Sequence, residues 1–166
     1  MDTFLGIVHV VGAVFIVGPM VILPMTGMRA LRSGAAASAR TLATSTTVFA
    51  GISVVVALVG FALVGLAPAK YDLHLTTPWV LASIILYVLA LGISLFLVAP
   101  ALRGGAEAIE AGAGHAGTDA GAATAHSSVA DSLVANSRVA YSRVAAGSGV
   151  AALLLLAVTV LMVWKP

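Results

Sequence analysis

Among the side chains able to do chemistry in this sequence, the histidines at positions 9, 74, 115 and 126 stand first. His9 lies within 4–27, a run that holds no Asp, Glu, Lys or Arg. An ionisable group inside such a run marks a functional hypothesis by default. A neutral imidazole can ligate haem iron. Gly6 and Gly12, one turn to either side of His9, would leave room for a flat macrocycle against the helix. In the topology derived below, His74 is the other histidine on the same side, so a bis-histidine haem site has one pairing, His9 with His74, and Met162 is a weaker second ligand. The plainer reading ranks first: His9 hydrogen-bonds a serine, a threonine or a backbone carbonyl on a neighbouring helix.

Other constellations carry less. Glu107 and Glu110 can share a helix face, but no fixed partner accompanies them as paired-carboxylate catalysis would need. There is no cysteine, so thiolate metal sites, disulfides and thiol nucleophiles are excluded. The chain contains no Walker loop, dinucleotide-binding glycine fingerprint, HExxH or nucleophile elbow. No catalytic residue and no metal site is expected. Nucleic-acid binding lacks its footprint as well, a basic patch with interleaved aromatics.

The elements that position these residues follow from composition. Of 166 residues 61% are hydrophobic and 8% charged, and the mean hydropathy is +1.13. A soluble domain carries about a quarter of its residues as charged side chains, so this is a membrane protein. A helix needs roughly 20 apolar residues to cross the hydrocarbon core. Four stretches qualify, at about 4–27, 41–67, 78–101 and 144–164. Each is continuously apolar, where a barrel strand would alternate and be half as long. The expected fold is all-α, an integral membrane four-helix up-down bundle forming a single transmembrane domain.

Arg29, Arg32 and Arg40 follow the first span, and Arg103, Arg138 and Arg143 stand between the third and the fourth; the opposite side has Lys70 and Lys165. The excess of basic residues places the first group in the cytoplasm and both termini outside. Arg29, Arg32, Arg103 and Arg143 form an inner collar suited to contact with anionic lipid headgroups. Tyr71, Trp79 and Trp164 anchor the outer rim. The N-terminal run lacks the basic leader of a signal peptide and is longer than a signal core, so it is expected to be retained.

Between the spans, the Gly/Ala-rich stretch 104–125 reads as a pliable cytoplasmic linker. From His126 onward, apolar residues recur three, four or seven apart, so the fourth helix starts before its span. Inside the membrane, small residues mark where backbones approach. Gly6, Gly12, Gly51, Ser94 and Gly147 are the expected packing positions. Pro19 and Pro24 remove backbone donors and should kink the first helix toward its cytoplasmic end. Thr76, Thr77 and Pro78 make a conventional helix start.

Four stretches carry a family resemblance: FLGIVHVVGAVFIVG at 4–18, PWVLASIILYVLALG at 78–92 with Pro100 at the span's close, SRVAYSRVAAGSG at 137–149 and LMVWKP at 161–166. Together, the early His-x-x-Gly-Ala and the Leu-Met-Val-aromatic-Lys-Pro ending resemble a family of bacterial four-helix proteins described as predicted integral membrane proteins of unknown function. The resemblance implies the four-span topology and a multi-pass place in a bacterial plasma membrane. A looser likeness, through His9 alone, connects the first span to copper-resistance membrane proteins and to four-helix protoporphyrinogen oxidases. The basic and aromatic residues that follow the histidine in the oxidases are absent here. The functional expectation is a non-catalytic accessory or assembly component of a larger membrane complex, with other membrane subunits or further copies of itself as partners. The alternatives are a haem-binding electron-transfer or haem-handling protein using His9, and a small oligomeric transporter built around the broken first span.

Overall fold

A computed structural model of the protein describes residues 2–66, 77–115 and 123–164, with side chains described at 4–66, 77–113 and 138–164. All regular structure among the described residues is helical. The first span is α1 (Asp2–Gly12), a π-helical segment (Ala13–Val17) and α2 (Gly18–Arg32). The second is α3 (Ala36–Gly65). The third is α4 (Pro78–Ile93), a second π-helical segment (Ser94–Val98) and α5 (Ala99–His115), and the fourth is α6 (Ala123–Trp164). Four helical stretches are long and apolar enough to cross a membrane: Phe4–Arg32, Ala36–Gly65, Pro78–Ala113 and Arg138–Trp164.

The helices close into a ring, the first span against the second, the second against the third, the third against the fourth and the fourth against α2. The core is built of small residues. On α3 the buried positions Ala39, Ala43, Thr46, Ala50, Ser53 and Val56 recur three or four apart, a single stripe facing the other helices. Ala43 packs with Val98, Leu102 and Val144, and Ala90 with Ala151 and Leu155. Glycines let large side chains in at three crossings. A Cβ on Gly27 would stand 2.6 Å from Leu102, one on Gly105 2.7 Å from Leu31, and one on Gly147 2.7 Å from Leu97. Only 6% to 22% of the most apolar window of each span is buried, so most of the apolar surface faces outward, where lipid covers it.

The connection after α2 is three residues. Ala35 N–H donates to Ala30 C=O at 2.9 Å and Gly34 N–H to Leu31 C=O at 3.3 Å, with Gly34 at φ +71°. This is a Schellman turn, and the left-handed residue in it is the glycine that tolerates that conformation. Charged side chains near this turn thus ride on helix ends rather than on a loop.

The two prolines of the first span stand in different settings. The first break lies before Pro19, in the π segment, and Pro24 sits buried inside α2 without a change of helix type. Proline lacks an N–H, and its ring crowds the carbonyl four residues back. For Pro19 that carbonyl belongs to Phe15, in the middle of the π segment. The wider turn moves it aside, and Pro19 falls in the first turn of a restarted α-helix, where the missing donor is not needed. Pro100 repeats the arrangement with Phe96 in the second π segment. The sequences match as well: AVFIVGP at 13–19 and SLFLVAP at 94–100, each small-aliphatic-Phe-aliphatic-Val-small-Pro.

Of the stretch 104–125 expected as a pliable linker, residues 104–115 continue α5 as helix. Alanine favours the helix, and Gly105 and Ala106 are buried against the neighbouring helices.

Candidate functional site

The first helix meets α3 at a notch made by two glycines. His9 Nδ1 lies 2.9 Å from the Val56 carbonyl oxygen. A backbone carbonyl only accepts, so Nδ1 carries a proton and donates, which makes Nε2 the atom with the lone pair whenever the ring is neutral. The contact is possible because Gly60, one turn along α3, has no side chain: a Cβ there would stand 2.7 Å from His9 Cε1. One turn along α1, Gly12 admits the Val56 side chain, with 3.1 Å between an ideal Cβ and Val56 Cγ2. Four residues, two from each helix, therefore interlock around one polar contact.

One turn further along α3, Ser53 links to the third span. Its Oγ donates to the Ala50 carbonyl at 2.7 Å and stands 2.8 Å from Tyr87 Oη. The serine proton is used on Ala50, so the tyrosine O–H donates to Ser53. The remaining buried hydroxyls bond to carbonyls of their own helices: Thr46 to Leu42, Ser83 to Trp79, Ser94 to Ala90 and Ser148 to Ala145. Among the described residues no buried side-chain polar atom lacks a partner. That satisfaction is what a lipid-embedded bundle requires, since no water is at hand to supply it.

At the basic end, three arginines tie helices together. Arg40 on α3 pairs with Glu110 on α5 at 2.7 Å, Arg103 on α5 donates to Thr47 Oγ1 on α3 at 3.2 Å, and the Arg32 guanidinium lies 5.1 Å from the Tyr141 ring centroid. Arg29 and Arg143 are exposed. Arg29 and Arg32 close α2, Arg40 stands near the start of α3, and Arg103 and Arg143 pack beside them on α5 and α6, so the five form a basic band at one end of the bundle.

The expected site residues thus separate. Gly12, Ser94 and Gly147 lie at contacts between or within the packed spans, while Gly6 and Gly51 have no atom within 4 Å of an ideal Cβ. Gly51 is on the outward face of α3. Met162 is exposed on α6. His74 lies outside the described residues, as do Lys70, Tyr71, Thr76 and Lys165, and the side chains of His115 and His126 are likewise outside them. No group of three or more His, Asp or Glu side chains positioned to hold a metal ion occurs among the described residues. Sequence reasoning missed Gly60 and Tyr87, the partners that give His9 and Ser53 their roles. The spacing of Val56 and Gly60, one helical turn apart opposite the spacing of His9 and Gly12, was the available signal.

No curated protein and no solved structure matches the chain. A family model does match, over residues 3–166, with the description "Predicted integral membrane protein (DUF2269)". With four membrane-length helices and a match over nearly its whole length, the chain belongs to the DUF2269 family of predicted integral membrane proteins, whose function is unknown.

Proposed function

We propose that the protein is a non-catalytic accessory component of a larger membrane assembly, associating sideways with other subunits or with further copies of itself. One observation carries the reading. Glycines 12, 27, 60, 105 and 147 each receive a side chain from another helix of the same molecule, whereas Gly51, like Gly6, Gly18, Gly65, Gly92, Gly104 and Gly149, has open space where a Cβ would stand, and it lies on the outward face at the middle of α3. Thr44 and Val48 stand on the same exposed face of α3, two turns and one turn before it. A small-residue face lets a helix from another chain approach closely, and van der Waals packing is what drives such association in lipid. The basic band, read with the excess of arginine, supports an orientation with that end in the cytoplasm and both termini outside, in a bacterial plasma membrane.

Gly51→Leu tests this at an outward-facing position, because a Cβ there meets no atom within 4 Å. In gently solubilised membranes the native protein is expected in particles heavier than one copy, and Gly51→Leu in monomers of unchanged helicity. A native protein that runs as a monomer with no co-purifying subunit contradicts the reading.

The His9 geometry favours one second reading, haem binding. A histidine whose Nδ1 donates to a carbonyl presents Nε2 as the ligating atom, the arrangement that fixes ring orientation at metal centres. The discriminating measurement is a reduced-minus-oxidised optical spectrum of protein purified from haem-replete membranes. A stoichiometric Soret band lost in His9→Ala supports haem; a featureless spectrum leaves His9 to packing.

A further inference from the structure

A groove runs between α5, with the π segment before it, and α6, and has a volume of about 520 Å³. Phe96, Leu97 and Pro100 line one end and Arg143 and Glu107 the other, with Gly104 between. Nothing within 4 Å would meet a Cβ on Gly104, so the floor there is open. The apolar end lies toward the bilayer centre and the charged end in the band of arginines.

The depth of the two charges follows from the packing register. Gly105 on α5 faces Ala140 on α6, and Val98 faces Gly147. Arg143 is therefore level with Leu102, and Glu107 stands five residues farther from the membrane centre, about 7.5 Å at 1.5 Å per residue. Glu107 and Arg143 make no ion pair with each other or with another described residue; the ion pair among described side chains is Arg40–Glu110. Arg138, at the depth of Glu107, is not among the groove's lining residues. The groove thus presents an apolar trough, then a cation, then an anion, in order from the bilayer core outward.

We propose that this groove binds one glycerophospholipid with a primary-amine headgroup, of the phosphatidylethanolamine type. Such a lipid carries the complementary series: an acyl chain for Phe96, Leu97 and Pro100, a phosphate for Arg143, and an ammonium two methylenes farther out for Glu107. Arginine is suited to phosphate, and an ammonium N–H donates to a carboxylate. A choline headgroup has no N–H to donate. A glycerol headgroup leaves Glu107 unmatched beside a net anion.

The test is native mass spectrometry of the full chain in mild detergent, with phosphatidylethanolamine, phosphatidylcholine or phosphatidylglycerol added separately. Phosphatidylethanolamine is expected to be retained about fivefold over phosphatidylcholine, the factor that one net hydrogen bond of about 1 kcal/mol gives. Glu107→Gln should reduce that preference, lowering phosphatidylethanolamine retention more than phosphatidylcholine retention, and Arg143→Gln should weaken all three lipids. Gly104→Leu, which adds a side chain to the trough and keeps both charged residues, should lower retention of every lipid in protein of unchanged helicity. Equal retention of the amine and choline lipids overturns the proposal. So does phosphatidylglycerol held as well as phosphatidylethanolamine and indifferent to Glu107→Gln, which would make Arg143 a plain anion contact. A dimer that Gly104→Leu dissociates, with no lipid adduct lost, would assign the groove to a second copy of the chain and equally overturn it.

Discussion

His9 and Gly60 are a matched pair, and the energetics of the pair are open to measurement. An interhelical hydrogen bond in a membrane protein contributes on average about 0.6 kcal/mol and at most about 1.7 kcal/mol. His9→Ala should cost an amount in that range plus the lost ring packing. Gly60→Leu should cost about 1–3 kcal/mol, because its side chain enters the space the imidazole fills. The two changes share one space, so their effects should be non-additive: in a His9→Ala background the Gly60 substitution should be far less damaging. Unfolding free energies of the four proteins in bicelles check this, and strict additivity would mean the two residues do not touch. At this scale the sequence identified His9, and it identified a neighbouring helix carbonyl as one of three acceptor types. Which carbonyl accepts was not legible, because an apolar helix has one at every residue and only the glycine notch selects Val56.

At the scale of elements, the π segments set the register of the first and third spans. Each adds a wide turn ahead of a proline, and the first determines which face of α1 meets α3. The chain has no cysteine, so engineered pairs report register cleanly. An ideal Gly12 Cβ lies 4.0 Å from Val56 Cβ, within the range of disulfides. Gly12→Cys with Val56→Cys should therefore cross-link on mild oxidation. Adding Pro19→Ala restores a donor for the Phe15 carbonyl and removes the ring that crowds it. If the proline maintains the π turn, α1 rotates by about one residue, some 100°, and the cross-link yield falls. Undiminished yield would show that the π turn is held by packing instead. Span positions were legible from hydropathy alone, since charge-free runs of sufficient length are hard to place otherwise. The type of break was not, because hydropathy carries no information about register. The matching heptapeptides at 13–19 and 94–100 were the signal, and its two copies lie too far apart for periodicity within one window to expose them.

At the scale of the molecule, the small-residue core leaves an outward apolar surface that lipid covers, and the proposed function assigns part of that surface to neighbouring subunits. The helical extension of α5 through 115 shows how composition misled in one place: a Gly/Ala run is pliable in isolation, but here it is laid against Leu31, Ala39 and Ala140. The face around Gly51 is where the proposed function meets the molecule most directly. A photo-reactive amino acid placed at position 51 in native membranes, compared with one replacing the buried Leu155, makes the decisive measurement. Lateral association predicts an adduct to a separate polypeptide from position 51 and contacts within the chain from position 155. Lipid adducts alone at position 51, from protein that remains monomeric, would contradict it.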